Sequence, residues 1–219
     1  MANANPNDIY FGSYIRFETV DKKAGAALVG PDNAIGDIGD IVWKRDANHQ
    51  QQAWLQNRFG GQFGFIDPKE SHKLAVIHAK GWTIKYVLSF TAYSEKPDPG
   101  VYWGQVAIIA YPKRYEESFS VFLKTFSEAC ATGARPDPEL GPSSIQTILD
   151  DASSWKSTKK VKIPSLDSSS VVLKDHRSVH DKVLDMSRKK NVGCYIISWI
   201  FLLGLVAAIV YAAHSFGIF

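Results

Sequence analysis

"AWLQNRFGGQFGFIDPKESHKLAVIHAKGW" (residues 53–82) decides how the chain is read. "AWLQNR" (53–58) and "QFGFID" (62–67) have strand composition and flank Gly60-Gly61. Both glycines can take positive φ, as a two-residue type I′ turn demands, so the pair predicts a hairpin. Gly64 inside the second strand predicts a bulge or a close backbone approach. Asp67-Pro68 opens a helix, with an N-cap ahead of proline at the first helical position. Leu74, Ala75, Ile77 and His78 give this helix one packing face, and Gly81 ends it.

On the C-terminal side, "WTIKYVLSFTAYSE" and "VYWGQVAIIAYP" are two long β-rich runs around "KPDPG", which predicts a second hairpin. On the N-terminal side, "DIYFGSYIRFETV" (8–20) and "DIVWKR" (40–45) read as strands. The stretch between them is rich in glycine and aspartate. It reads as a long loop with a short strand at Ala26–Val29.

"KRYEESFSVFLKTFSEACATG" predicts an amphipathic helix. Tyr115, Phe119, Phe122, Phe126 and Ala129 recur at three- and four-residue steps, and Gly133 closes it. Its aromatic stripe reads as core rather than as a ligand box. "ARPDPELGPSS" reads as a linker, followed by a short helix with Ile145, Ile148, Leu149, Ala152 and Trp155 on one face. The Ser/Lys/Pro mixture from Lys156 to Ser170 predicts a mobile tether, before a last helix from about Ser178.

That helix leads into "GCYIISWIFLLGLVAAIVYAA" (193–213), which carries no charge and matches the ~20 residues needed to cross a bilayer. Gly193 opens the run, and Tyr195, Trp199 and Tyr211 stand toward its ends, where interfacial aromatics gather. Arg188, Lys189 and Lys190 abut it on the N-terminal side, while "HSFGIF" beyond it has no Lys or Arg. Positive flanks stay inside, so a single-pass membrane protein with a cytoplasmic N-terminal domain is expected. "MANANPNDIYF" is not read as a signal peptide. Gly204, Ala208 and Ala212 place small side chains on one helix face, through which a weak homodimer would form.

The formal charge of +3 arises from 25 Lys/Arg against 22 Asp/Glu, and its position matters more than its size. Through Thr132 the basic and acidic residues balance. The excess lies between 133 and 190, where Lys156, Lys159, Lys160, Lys162 and the Arg188–Lys190 cluster could meet an anionic leaflet.

The order of strand, asparagine-containing polar loop, glycine-turn hairpin, proline-initiated helix and final hairpin resembles the HIRAN domain over roughly residues 8–111. The matching residues are Arg45-Asp46, "ANHQQQA" with Asn48 and Ala53, Gly60 or Gly61 with Gly64, and "SHKLAVIHAKGW". The resemblance implies an α+β, mainly β, fold: a small β-barrel with packed helices. It also implies a ligand site at Arg45, Asn48, His49, Gln50 and Trp54, in a family implicated in recognising DNA and, in one branch, the 3′ end of a single strand. His49 and Gln50 stand where the family has tyrosine and aspartate, and base stacking is worth ~1–3 kcal/mol per base. A neutral domain also lacks the basic footprint of nucleic-acid binders.

No chemistry-bearing motif appears. "GPDNAIGDIGD" is not followed by the Lys-Ser/Thr of a phosphate loop and lacks calcium-loop spacing. His176 and His180, four apart, would share a helix face as half of a zinc site, without a further ligand cluster. The expectation is a non-enzymatic chain with no cofactor or metal, organised as a barrel domain (1–133), a linker with short helices (134–190) and a transmembrane anchor with a short tail (191–219). Its expected function is a membrane-tethered module for a protein partner. The alternative is a membrane-held binder of single-stranded DNA ends.

Overall fold

The structure is a computed structural model and describes residues 8–45, 49–179, 181–183 and 200–206. Its elements are β1 (Phe11–Glu18), α1 (Lys22–Val29), β2 (Ile38–Arg45), β3 (Gln51–Gln56), β4 (Gln62–Ile66), α2 (Pro68–Ala79), β5 (Trp82–Ser94), β6 (Val101–Pro112), α3 (Glu116–Ala131), α4 (Pro142–Asp151) and β7 (Ser170–Lys174). The chain divides after Arg177 into two units, Met1–Arg177 and Ser178–Phe219.

Six strands close an antiparallel barrel in the order β1-β4-β3-β2-β5-β6, with β6 returning to β1. The fold is mixed α+β, and the barrel expected from the sequence is present. Alternation along the strands divides their residues between two cores. Ile15, Phe17, Leu55, Phe63, Tyr86, Leu88, Val106 and Ile108 fill the interior, joined by Leu28 of α1 and Leu74 of α2. Val87, Ala107, Ile109 and Tyr111 point out, under Phe119, Phe122 and Phe126 of α3 and Ile145 and Ile148 of α4. The aromatic stripe of α3 is thus core, and burial of each Phe stabilises by roughly 1.5–3 kcal/mol. Trp155 stands edge-on against Phe122, with ring centroids 4.8 Å apart, which ties α4 to α3.

Asp67 caps α2 as expected, its Oδ1 accepting from Lys69 N (2.9 Å) and Glu70 N (3.1 Å). Gly64 makes the predicted close approach: a Cβ there would lie 2.7 Å from Phe17 Cδ2 and 2.9 Å from Glu18 O. A register shift between Leu55 and Gln56 faces it, so the bulge and the close approach occur together.

Three local expectations are corrected. The β3–β4 connection is a five-residue loop, Asn57–Gly61, in place of a two-residue turn. Asn57 Oδ1 accepts from both Phe59 N (3.0 Å) and Gly61 N (2.9 Å), which closes the wider loop. Residues 22–29 form a helix where a loop with a short strand was expected. Asp21 caps it through a 2.7 Å bond from Ala24 N, and Gly25 lets it lie against the Tyr102 ring, 2.3 Å from where a Cβ would sit. His176 lies ahead of the helical residues 179 and 181–183, so the proposed four-residue spacing does not put it on that helix; the structure of His180 lies outside the described residues.

The largest correction concerns 156–170, expected as a mobile tether. This segment is a strap laid on the barrel. Val161 N donates to Arg135 O (2.8 Å), Asp137 N donates to Lys159 O (3.0 Å), and Pro136 bridges Lys160. Ile163 and Leu166 then pack on Phe90, Ala92 and Trp103. β7 follows and pairs antiparallel with the second half of β5, whose first half pairs with β2. A bulge at Leu88/Phe90 marks the hand-over. The unit therefore runs on to Arg177, past the boundary expected at 133. Few apolar residues suffice because the barrel offers them a ready apolar patch.

In the second unit, residues 200–206 are helical, and Ile200, Phe201, Leu202, Leu203, Leu205 and Val206 are all exposed. Gly204 lies in this stretch with nothing near the position of a Cβ. No helix among the described residues is long and apolar enough to cross a membrane. The expected span at 193–213 falls largely outside those residues, with Gly193, Trp199, Ala208, Tyr211, Arg188, Lys189 and Lys190 among the positions not described.

Candidate binding face and hollow

Register places seven residues in one row across seven strands. Val42 opposes Trp54, Trp54 opposes Phe65, Phe65 opposes Glu18, Glu18 opposes Trp103, Trp103 opposes Ala92 and Ala92 opposes Val172. Directly opposed residues in an antiparallel pair project from the same side. Ala53 and Leu55, which flank Trp54, and Phe17, which precedes Glu18, belong to the barrel interior, so this row faces outward.

The two ends of the row are finished differently. At one end the strap covers Trp103, which is 4% exposed; its Nε1 donates to Ser94 Oγ at 2.8 Å and Phe90 meets it edge-on at 5.5 Å. The Arg16 guanidinium lies 4.1 Å from the Trp103 ring centroid, held also by Glu18 at 3.0 Å. At the other end Val42, Trp54 and Phe65 are only half-buried. The Trp54 and Phe65 rings stand 5.7 Å apart, and Lys44 Nζ sits 3.8 Å from the Trp54 ring centroid. A small cleft of about 120 Å³, lined by Arg16, Phe17, Glu18, Phe65 and Asp67, separates the two ends.

Around the rim of the barrel, the β2–β3 connection and the outer side of α2 form an open hollow of about 800 Å³. Its lining includes Gln50, Gln51, Lys69, His72, Ala75 and Val76, and Val76 is 48% exposed. Asp67 and Ser71 set α2 in place. Ser71 Oγ donates to Ile66 O (2.9 Å) and accepts from Ala53 N (3.0 Å), which fixes the helix against β3 and β4.

The residues expected from the HIRAN resemblance are distributed over these two features. Gln50 lines the hollow, while Trp54 belongs to the outward row. Arg45 ends β2 opposite Gln51 and is exposed. His49 is exposed with φ +61°, the positive-φ backbone of a turn residue, and the structure of Asn48 lies outside the described residues. Lys44, Phe65 and Val76 were not among the expected site residues. Strict alternation would put Phe63 and Phe65 on one face. The register shift between Leu55 and Gln56 separates them, leaving Phe63 in the interior and Phe65 half-buried in the outward row, which the sequence pattern did not signal.

The chemistry of this surface is that of flat apolar contact edged by cations. His78 tilts against Trp43 at 5.4 Å and His72 lines the hollow, so these two histidines do not converge on one ligand. No group of three or more His, Cys, Asp or Glu among the described residues could hold a metal ion. Comparison with protein-family models, curated proteins and solved structures finds no match for the chain.

Proposed function

We propose that the chain is a membrane-tethered, non-enzymatic binding module whose barrel offers its bare aromatic face and the adjoining hollow to a protein partner. The observation that carries this reading is the uncovered half of the outward row. Trp54 and Phe65 continue a line of residues that the protein covers at Trp103 and leaves open beyond it. Aromatic residues with a cationic rim are the composition enriched at protein–protein contacts. Membrane attachment is supported by the uncharged 193–213 run and by apolar exposure along 200–206. A helix apolar on all sides needs an apolar surrounding. The Arg188–Lys190 flank supports a cytoplasmic barrel, and Gly204 with Ala208 supports a weak dimer in the bilayer.

A photo-crosslinking side chain at position 54 or 76, in native membranes, is expected to trap a discrete partner, and one at position 117 is not. Equal, diffuse labelling from all three positions would remove the reading. A single-strand DNA end is the second reading, favoured by the cation-edged Trp54 as a stacking platform. It ranks behind because Lys44 already occupies a face of that ring. Sub-micromolar, 3′-end-dependent binding lost on His49→Ala or Trp54→Ala would restore it. Gly204→Leu is expected to abolish a crosslinked dimer if the small-residue face pairs.

A further inference from the structure

Arg135 is 6% exposed and carries a charge that the protein leaves without a carboxylate partner among the described residues. Its Nε donates to Val161 O (3.3 Å), its Nη1 to Ser89 Oγ (2.7 Å) and its Nη2 to Gln105 Oε1 (2.8 Å). A guanidinium has five N–H groups. Three are therefore spent on neutral oxygens and two remain. The rings of Tyr14 and Phe90 lie 4.3 and 5.0 Å from its carbon and offset part of the cost of burial. Buried charges are ordinarily paired, and neutral acceptors and ring faces do not neutralise one. Burial accordingly pulls the Arg135 guanidinium below its usual value, as expected where no anion stands beside it.

Arg135 also lines an open hollow of about 460 Å³ between the end of α3 and the strap. Lys160 and Lys162 line the same hollow, and neither side chain has a hydrogen-bond or ion-pair partner among the described residues. Lys159, by contrast, is taken up by Asp137 at 2.6 Å. The one carboxylate on the lining is Asp175, which is engaged with His176 Nδ1 at 2.6 Å. Three cations thus face one occupied acid.

We infer that this hollow is an anion site for a phosphate group, with Arg135 at its base and Lys160 and Lys162 at its mouth. A tetrahedral oxyanion supplies the counter-charge that the fold omits, and it accepts from a fork of N–H donors and from two ammonium groups together. The same chemistry is presented by free phosphate, by a soluble phosphorylated metabolite and by a phosphorylated lipid headgroup. The strap forms one wall, so ligand binding would also tighten the strap on the barrel.

The test uses the full chain in neutral detergent, titrated calorimetrically with inorganic phosphate and then with a soluble inositol polyphosphate, each with a thermal-unfolding readout. Saturable binding with a raised Tm for the barrel unit is expected. Lys160→Gln combined with Lys162→Gln should weaken it about ten-fold or more while leaving the ligand-free Tm unchanged, since neither side chain supports the fold. Arg135→Lys should weaken it further; if that variant fails to fold, the lysine pair decides alone. Nanodiscs of phosphatidylcholine with and without a phosphoinositide distinguish the sources: tighter binding there than to the soluble headgroup assigns the lipid. Absence of saturable binding to all three probes, or binding that the double lysine variant leaves intact, overturns the site.

Discussion

Trp103 and Trp54 occupy the same outward row, with the strands of Phe65 and Glu18 between them, yet one is sealed and the other only half-buried. The sheet is the same at both places. What differs is the chain beyond it: Ile163 and Leu166 arrive over Trp103, and nothing comparable packs on Trp54 among the described residues. A barrel of this kind makes an apolar outer surface wherever a strand alternates, and covering elements decide which part is core and which is contact surface. The strap's composition conceals its role because so few of its residues touch the sheet.

The largest effect that sharpens this contrast is expected at the sealed end. Trp103→Ala should lower stability by about 3–5 kcal/mol, read by chemical denaturation, because a large ring and its hydrogen bond to Ser94 are both lost. Trp54→Ala should cost no more than about 1 kcal/mol, the range of half-exposed substitutions, while abolishing crosslinking to a partner. Equal destabilisation by the two changes would erase the distinction between core and contact surface. Between them lies Ile163→Ala, at roughly 1–2 kcal/mol, because this half-buried side chain leaves only part of a cavity. It should also raise binding of an apolar dye at the uncovered Trp103 end.

The smallest effect concerns Cys130, on the covered side of the barrel. Burial pushes its thiol up to about 12, although Tyr14 and Arg135 act to lower it. A raised value holds the thiol protonated through neutral and mildly alkaline pH. In a Cys194→Ser variant, labelling at pH 8 should therefore be far slower than that of a free thiol and should accelerate only on unfolding. Rapid labelling of the folded chain would mean that α3 is not sealed as described.

Much of the barrel was legible in the sequence because its signals are local. Asp67-Pro68, the long β5–β6 runs and the aromatic steps of α3 each determine structure within a few residues of themselves. α1 was missed because a glycine inside a short alanine-rich segment reads as a breaker, whereas Gly25 is needed where the Tyr102 ring crosses the helix. The strap was missed because its contacts are all distant: Val161 to Arg135, Ile163 and Leu166 to Trp103, and the following β7 to β5. Of the candidate site, Trp54 and Gln50 were legible from the resemblance. Phe65 and Lys44 become their neighbours only once strand register is fixed.

Arg177 is the last residue of the barrel unit, and it is fastened at three points. Its backbone N–H donates to Ala131 O (2.9 Å), its Nε to Ile35 O (3.2 Å) and its Nη2 to Asp37 Oδ1 (2.7 Å). These bonds join the chain's exit to the end of α3 and to the loop before β2, two places far apart in sequence. If the chain is held by a bilayer, as proposed above, tension arriving from residue 178 onward would meet this clasp before it reached the β7 ladder. The clasp would work as strain relief does on a cable, sparing the strap and the row beneath it from being peeled open by the load.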